Sequence, residues 1–194
     1  MKTVKVRAGQ PVPPGEWNEV IVAVNAHTQE AIPEGARIGL PVYTKETDYN
    51  KLRILVKRLL RLGYAKFEVA DLAGLRMVKS LGITDITADW TLYAFNSWAL
   101  KALAAMGVKR FTASPENNAE NLEFLRSSGY EVETLSQQST PLFISLTEPE
   151  KQTELKVFRK DGLWVTTKKS PRSWEGGTRW DLSWDPPEGD GDDR

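Results

Sequence analysis

The feature that most narrows what this chain can fold into is a unit repeated through its middle: a strand-like run, an amphipathic stretch, and a glycine. Strand-like runs at 66–70, 85–88, 109–113 and 131–135 alternate with helical patterns at 72–81, 94–106 and 117–128, and Gly82, Gly107 and Gly129 close the helices. Upstream, Leu52, Leu55, Val56, Leu59, Leu60 and Leu62 recur at helical spacing over 48–62, with Lys51, Arg53, Lys57, Arg58 and Arg61 on the other side and Gly63 after them. Thr47 or Asp48 is placed to cap that helix. A helix ended by a left-handed glycine and followed at once by a short strand marks a βα unit, and right-handed crossovers make the successive strands parallel. Two mostly apolar runs, 19–24 and 36–42, read as further strands buried on both faces. The fold class is therefore α/β, either an open sheet or a section of a (β/α) barrel, over 19–147.

The flanks have a different texture. A strand-like start at 3–7 is followed by prolines and glycines up to Gly15, so 1–18 reads as a leader or linker. After 141–146 the helical rhythm stops. Two β-rich runs, 155–159 and 163–167, enclose Lys160-Asp161-Gly162, a hairpin signal, and a third, 178–184, follows Gly176-Gly177. Residues 148–184 thus read as a small antiparallel β add-on of three strands. Trp164, Trp174, Trp180 and Trp184 lie there, as its core or as a base-stacking platform with the neighbouring Lys168, Lys169, Arg172 and Arg179. The last ten residues hold five acids, two prolines and two glycines and are expected to be disordered.

Composition removes several chemistries. There is no cysteine, so no disulfide, thiolate nucleophile or cysteine-held metal or iron–sulfur site arises from this chain. A single histidine makes a triad or a histidine metal site a poor fit. Lys+Arg 26 against Asp+Glu 26 leaves formal net charge zero and no global field to gather nucleic acid. Neither standard phosphate-binding glycine loop is present, and no cofactor is expected. With no apolar run of about 20 residues and no signal-peptide start, the chain reads as soluble and cytoplasmic, without a membrane partner.

In parallel α/β folds, sites form where the strands end at their carboxyl side. The candidates there are Asp71, Asp89, Tyr93, Ser114 and Glu116, with His27 after the run 19–24 and Asn96 at the start of the helix pattern 94–106. Asp71, Asp89 and Glu116 brought together would hold a divalent metal or share a proton; held apart, they are simple helix caps. We take Asp89, Asn96 and Glu116 as candidate catalytic groups, Glu116 or Asp89 as acid/base and Asn96 as donor, and Asp71, Tyr93, Ser114 and His27 as candidate substrate-binding groups, with no metal. The helix at 94–106 is apolar on two faces, Phe95, Ala99, Ala102 and Met106 on one and Leu100, Leu103 and Ala104 on the other, which predicts a homo-oligomer or a partner chain.

Asp89-Trp90-Thr91-Leu92-Tyr93-Ala94-Phe95-Asn96-Ser97, then Gly107-Val108-Lys109-Arg110-Phe111-Thr112-Ala113-Ser114-Pro115-Glu116, resembles the collagenase-like peptidase family U-32 in order and spacing. The likeness runs more weakly from about Trp17 to Trp184. It implies a TIM-barrel-like fold and either peptide hydrolysis or the hydroxylation of RNA bases and quinone precursors. Relatives of the second kind carry a Cys-rich signature where this chain has Thr140-Pro141-Leu142-Phe143-Ile144, without cysteine. The resemblance thus implies the later part of the barrel, a partial or degenerate non-catalytic member that binds a substrate or partner, with peptide or RNA as the ligand. The alternatives are a carboxylate-dependent hydrolase and a protein of RNA modification.

Overall fold

The computed structural model describes residues 1–150 and 152–187. In chain order the elements are β1 (Thr3–Arg7), β2 (Glu19–Ala23), β3 (Arg37–Gly39), α1 (Glu46–Arg61), β4 (Lys66–Val69), α2 (Leu72–Ser80) and β5 (Asp85–Ala88). A 3-10 turn, Trp90–Leu92, leads into α3 (Ser97–Ala105), β6 (Arg110–Thr112), α4 (Ala119–Ser127), β7 (Glu131–Glu133) and β8 (Leu135–Gln138). Then come β9 (Pro141–Ser145), β10 (Leu155–Lys160), β11 (Leu163–Lys168), β12 (Arg172–Ser173) and β13 (Arg179–Asp181). They form a ten-stranded sheet, β12-β8-β13-β1-β2-β3-β4-β5-β6-β7, and a separate three-stranded one, β10-β11-β9. Every pairing in the large sheet is parallel except β12 with β8.

The large sheet is strongly curled. β7 pairs with β6 at one flank and β8 with β13 near the other, yet only Thr134 separates β7 from β8, so the two flanks meet along 131–138. Four strand spacings lie between β13 and β4, roughly 19 Å if the sheet were flat. The Arg179 guanidinium of β13 nonetheless reaches the Glu68 carboxylate of β4 at 2.6 Å. Side chains such as these occupy the concave face.

Period-2 alternation explains both faces. Val4, Val6, Val22, Ile38, Phe67, Val69, Ile86 and Phe111 point outward into one apolar core with Leu52 and Val56 of α1, Leu75 and Val78 of α2, Leu100 and Leu103 of α3 and Leu125 of α4. The intervening residues, Lys5, Glu19, Arg37, Glu68, Thr87, Arg110, Thr112, Glu133, Arg179 and Asp181, are buried and polar. The helices end as the sequence predicts: Gly63, Gly82, Gly107 and Gly129 all adopt positive φ. Asp71, Asn96 and Asn118 cap the next helix through the backbone N–H three residues on. The first helix differs, since Lys45 occupies its N-cap and no side chain caps it; Thr47 and Asp48 lie inside it. Its basic residues face solvent. No helix among the described residues is long and apolar enough to cross a membrane.

Two segments sit elsewhere than the sequence reading put them. β1, read as part of a leader, lies inside the sheet between β13 and β2. The run 178–184, read as the third strand of an antiparallel add-on, supplies β13, which runs parallel to β1 and β8. The third strand of the small sheet is instead β9, paired antiparallel with β11. The expected hairpin at Asp161-Gly162 is present, with both residues at positive φ between β10 and β11. Of the expected disordered tail, 188–194 lies outside the described residues, while Asp185 accepts a hydrogen bond from Ser139 Oγ at 2.5 Å.

The entry of β13 depends on Gly177. A methyl group there would stand 2.0 Å from the Leu135 carbonyl oxygen, a backbone atom that cannot step aside. Gly177→Ala is expected to destabilise the fold by at least about 1–3 kcal/mol, the usual cost of overpacking. Denaturant unfolding checks this; an unchanged midpoint would mean that the chain entering β13 does not pack against the Leu135 carbonyl.

Candidate functional site

The concave face carries two layers of charge. At the amino-terminal end Glu19 accepts from Arg37 Nε at 3.1 Å and Nη2 at 3.2 Å and also from Arg110. Arg37 also donates to Asp85 at 2.9 Å. Burial works against ionisation of Glu19, but hydrogen bonds from the two arginines outweigh it and hold the carboxyl below its usual range.

Nearer the carboxyl ends, Lys5 Nζ lies 2.8 Å from both Glu68 and Asp89. Arg179 grips Glu68 through two bonds of 2.6 and 2.9 Å and donates to Thr112 at 2.9 Å, Asp89 at 3.4 Å and Glu133 at 3.5 Å. Asp181 accepts from Gln138 Nε2 at 3.0 Å and Ser183 Oγ at 2.6 Å. Burial opposes the Glu68 charge, yet Arg179 and Lys5 prevail and hold it well below the carboxylate range. Burial opposes the Lys5 charge too, and Asp89 and Glu68 reverse the effect and raise it. Asp89 goes the other way: burial pushes its carboxyl up, and Glu68 and Asp181 add to that push against Lys5 and Arg179. Lys5 and Arg179 are both shared with Glu68, and their pull on Asp89 does not offset its burial.

Above this layer the small sheet packs across the carboxyl ends. Trp90, Phe158, Val165 and Trp184 form a second apolar cluster with Val42 against it, and the Trp90 and Trp184 rings meet edge-on at 6.3 Å. Beside this cluster lies a cleft of about 630 Å³. Its walls are the segments after β3, β4, β5 and β6 and, opposite, residues 140–144 leading into and through β9.

The structure sorts the candidate residues. Asp71, Tyr93 and Glu116 line the cleft, with Trp90 at its side. Asp71 is half-buried and caps α2, accepting from Gly74 N at 2.6 Å. Gly74 permits this, because a methyl there would be 2.9 Å from the carboxylate oxygen. Burial pushes the Asp71 carboxyl up. Tyr93 is exposed, adopts positive φ and stacks on Phe95 at 5.6 Å. Glu116 is exposed. Asp89 is sealed beneath, fully buried, its Oδ1 accepting from Trp90 N. Asn96 lies outside the cleft as the α3 cap. Ser114 is buried and lines a separate hollow of about 300 Å³ with Arg126 and Trp174. His27 is surface-exposed, 3.3 Å from Asp48 and away from the cleft. Among the described residues no group of acidic and histidine side chains is arranged to hold a metal ion.

The sequence reading missed the interior ions Lys5, Glu19, Arg37, Glu68, Arg110, Glu133, Arg179 and Asp181. Their signal is a polar residue at every second strand position, as in Lys66-Phe67-Glu68-Val69 and Arg179-Trp180-Asp181-Leu182. The runs 19–24 and 36–42, read as buried on two apolar faces, carry Glu19 and Arg37 on the polar one. Compared with protein families, curated proteins and solved structures, the chain matches none.

The ion layers set a pH dependence. Glu68 and Glu19, held below their ordinary value of 4.5, contribute stability that is present above pH 4.5 and lost as pH falls below it. Lys5, held above 10.5, contributes stability that is lost as pH rises through that region. Asp89, raised above 3.8, has the opposite sign and favours the fold as it takes up a proton. Denaturant midpoints followed against pH are expected to fall below about pH 4.5, with proton uptake by Asp89 offsetting part of the loss. Asp89→Asn removes that offset at small cost near neutrality, whereas Glu68→Gln, which takes from Lys5 and Arg179 the carboxylate they share, costs about 3–5 kcal/mol. Equal costs for the two variants would contradict this assignment.

Proposed function

We propose that the chain is a compact U-32-like (β/α) barrel acting as a non-catalytic binding module, with a peptide held in the cleft at the carboxyl ends of its strands. The observation that carries this reading is the fate of Asp89, the acidic residue that opens the family-like motif. It is fully buried below Trp90 and tied to Lys5 and Arg179, so it serves the fold rather than a substrate. Asp71 and Glu116 remain at the cleft, with the only histidine elsewhere. A barrel is supported by β1 to β6, the segment 131–138 and β13, parallel neighbours whose side chains meet across the interior. A peptide is favoured over RNA because, among the described residues, the cleft lining holds two carboxylates and no cation to meet phosphates.

The test is a randomised synthetic peptide pool passed over the immobilised protein and sequenced by mass spectrometry. Wild type is expected to enrich a subset without creating new peptide termini, and Tyr93→Ala combined with Glu116→Gln to lower that enrichment about tenfold, or ~1.4 kcal/mol. Time-dependent cleavage that Glu116→Gln abolishes would replace this reading with a carboxylate-dependent hydrolase. Enrichment indifferent to the cleft variants would overturn it outright.

A further inference from the structure

β9 is an edge strand. Among the described residues it pairs only with β11, which leaves the N–H and C=O groups of its other edge without a strand partner, and residues 140–144 form one wall of the cleft. Folded proteins ordinarily protect such an edge with charge, proline within the strand or a covering element, since it is a template for another chain. Here Pro141 occupies the first position of the strand, and the residues after it carry no charge: Leu142, Phe143 and Ile144 are 49%, 54% and 38% exposed, consecutive residues and therefore on both faces of the strand. Across the cleft Tyr43, Leu72 and Tyr93 are exposed as well.

Charge selects the occupant. Among the described residues the charged side chains lining the cleft are Asp71 and Glu116, both acidic. A second copy of β9, Pro-Leu-Phe-Ile-Ser, brings no cation to them, and an acidic segment would be repelled. Building on the peptide-binding reading above, we infer that the cleft takes an extended segment of another polypeptide that adds to the free edge of β9 as a strand, with lysine or arginine directed at Asp71 and Glu116 and apolar side chains over Leu142, Phe143 and Ile144. Main-chain hydrogen bonds along the edge supply affinity, and the alternating side chains supply the choice of sequence. The five residues of β9 span about 17 Å, which matches a segment of five or six residues.

The experiment uses fluorescence anisotropy with a labelled hexapeptide of alternating lysine and valine. It is compared with its glutamate–valine counterpart and with a lysine–valine peptide N-methylated at alternate amides, a change that removes strand donors and leaves the protein untouched. The lysine–valine peptide is expected to bind at least tenfold more tightly than either comparison peptide, with Glu116→Gln and Phe143→Ser each weakening it several-fold. Both residues are exposed, so these variants leave the core intact. Binding that ignores N-methylation would overturn strand addition while leaving the cleft a peptide site. Binding that ignores charge would overturn the basic occupant. No binding to any of the three, or a concentration-dependent dimer abolished by Phe143→Ser, would overturn the proposal in favour of other ligands or of a second copy, and the peptide-pool result stands or falls separately.

Discussion

The rest of the structure depends on Arg179 reaching across the inside of the curled sheet to Glu68. An arginine brought in from the last strand, fully buried, has no water to solvate it, so its position requires acceptors from strands that a flat sheet would hold far away. Glu68 on β4, Thr112 on β6 and Glu133 on β7 are those acceptors, and satisfying them together demands the curl. Lys5 repeats the requirement from β1. Buried ion pairs of this kind add little net stability over apolar packing, but leaving one member unpaired is costly. The network therefore acts chiefly to specify the curl, and apolar contact with the helices on the convex face supplies the bulk of the burial.

The same constraint shapes the candidate functional surface. Because Asp89 is drawn inward to Lys5, the Trp90–Leu92 turn that follows lies across the opening, and Trp90 becomes the floor on which Trp184 and the small sheet settle. That placement brings β9 alongside the ends of β3 to β6 and creates the cleft. The carboxylate the motif draws attention to is consumed by the fold, and the residues left lining the cleft are less conspicuous ones such as Glu116, Tyr93 and the exposed run 142–144.

Much of the architecture was legible in the sequence because helix punctuation is local. The glycines after each helix and the Asp and Asn caps are short-range signals, as is the Asp161-Gly162 hairpin. The pairing of β13 with β1 was not legible, since it joins the two ends of the chain and neither run signals its partner. The charged interior escaped for a different reason: a polar residue in a three- or four-residue strand looks like a strand boundary, and only the recurrence of the pattern over many strands shows a face. For the candidate site, the strand-end rule found Asp71, Tyr93 and Glu116, which the fold places on one cleft. It could not separate them from Asp89, Asn96 and Ser114, because whether a strand-end residue points into a cleft, caps a helix or sinks into the interior depends on partners remote in sequence. The wall formed by β9 comes from beyond the βα repeat, where that rule says nothing.

The central claim, that mutual satisfaction of buried ions sets the curl, is tested most directly by a double-mutant cycle on Arg179→Met and Glu68→Leu, with unfolding free energies measured by denaturant at neutral pH. The account predicts that each single change is severely destabilising and that the double variant recovers a large part of the loss, a coupling of about 2–3 kcal/mol. Additive losses, with no recovery in the double variant, would contradict it and would mean that the outer apolar core alone dictates the shape of the sheet.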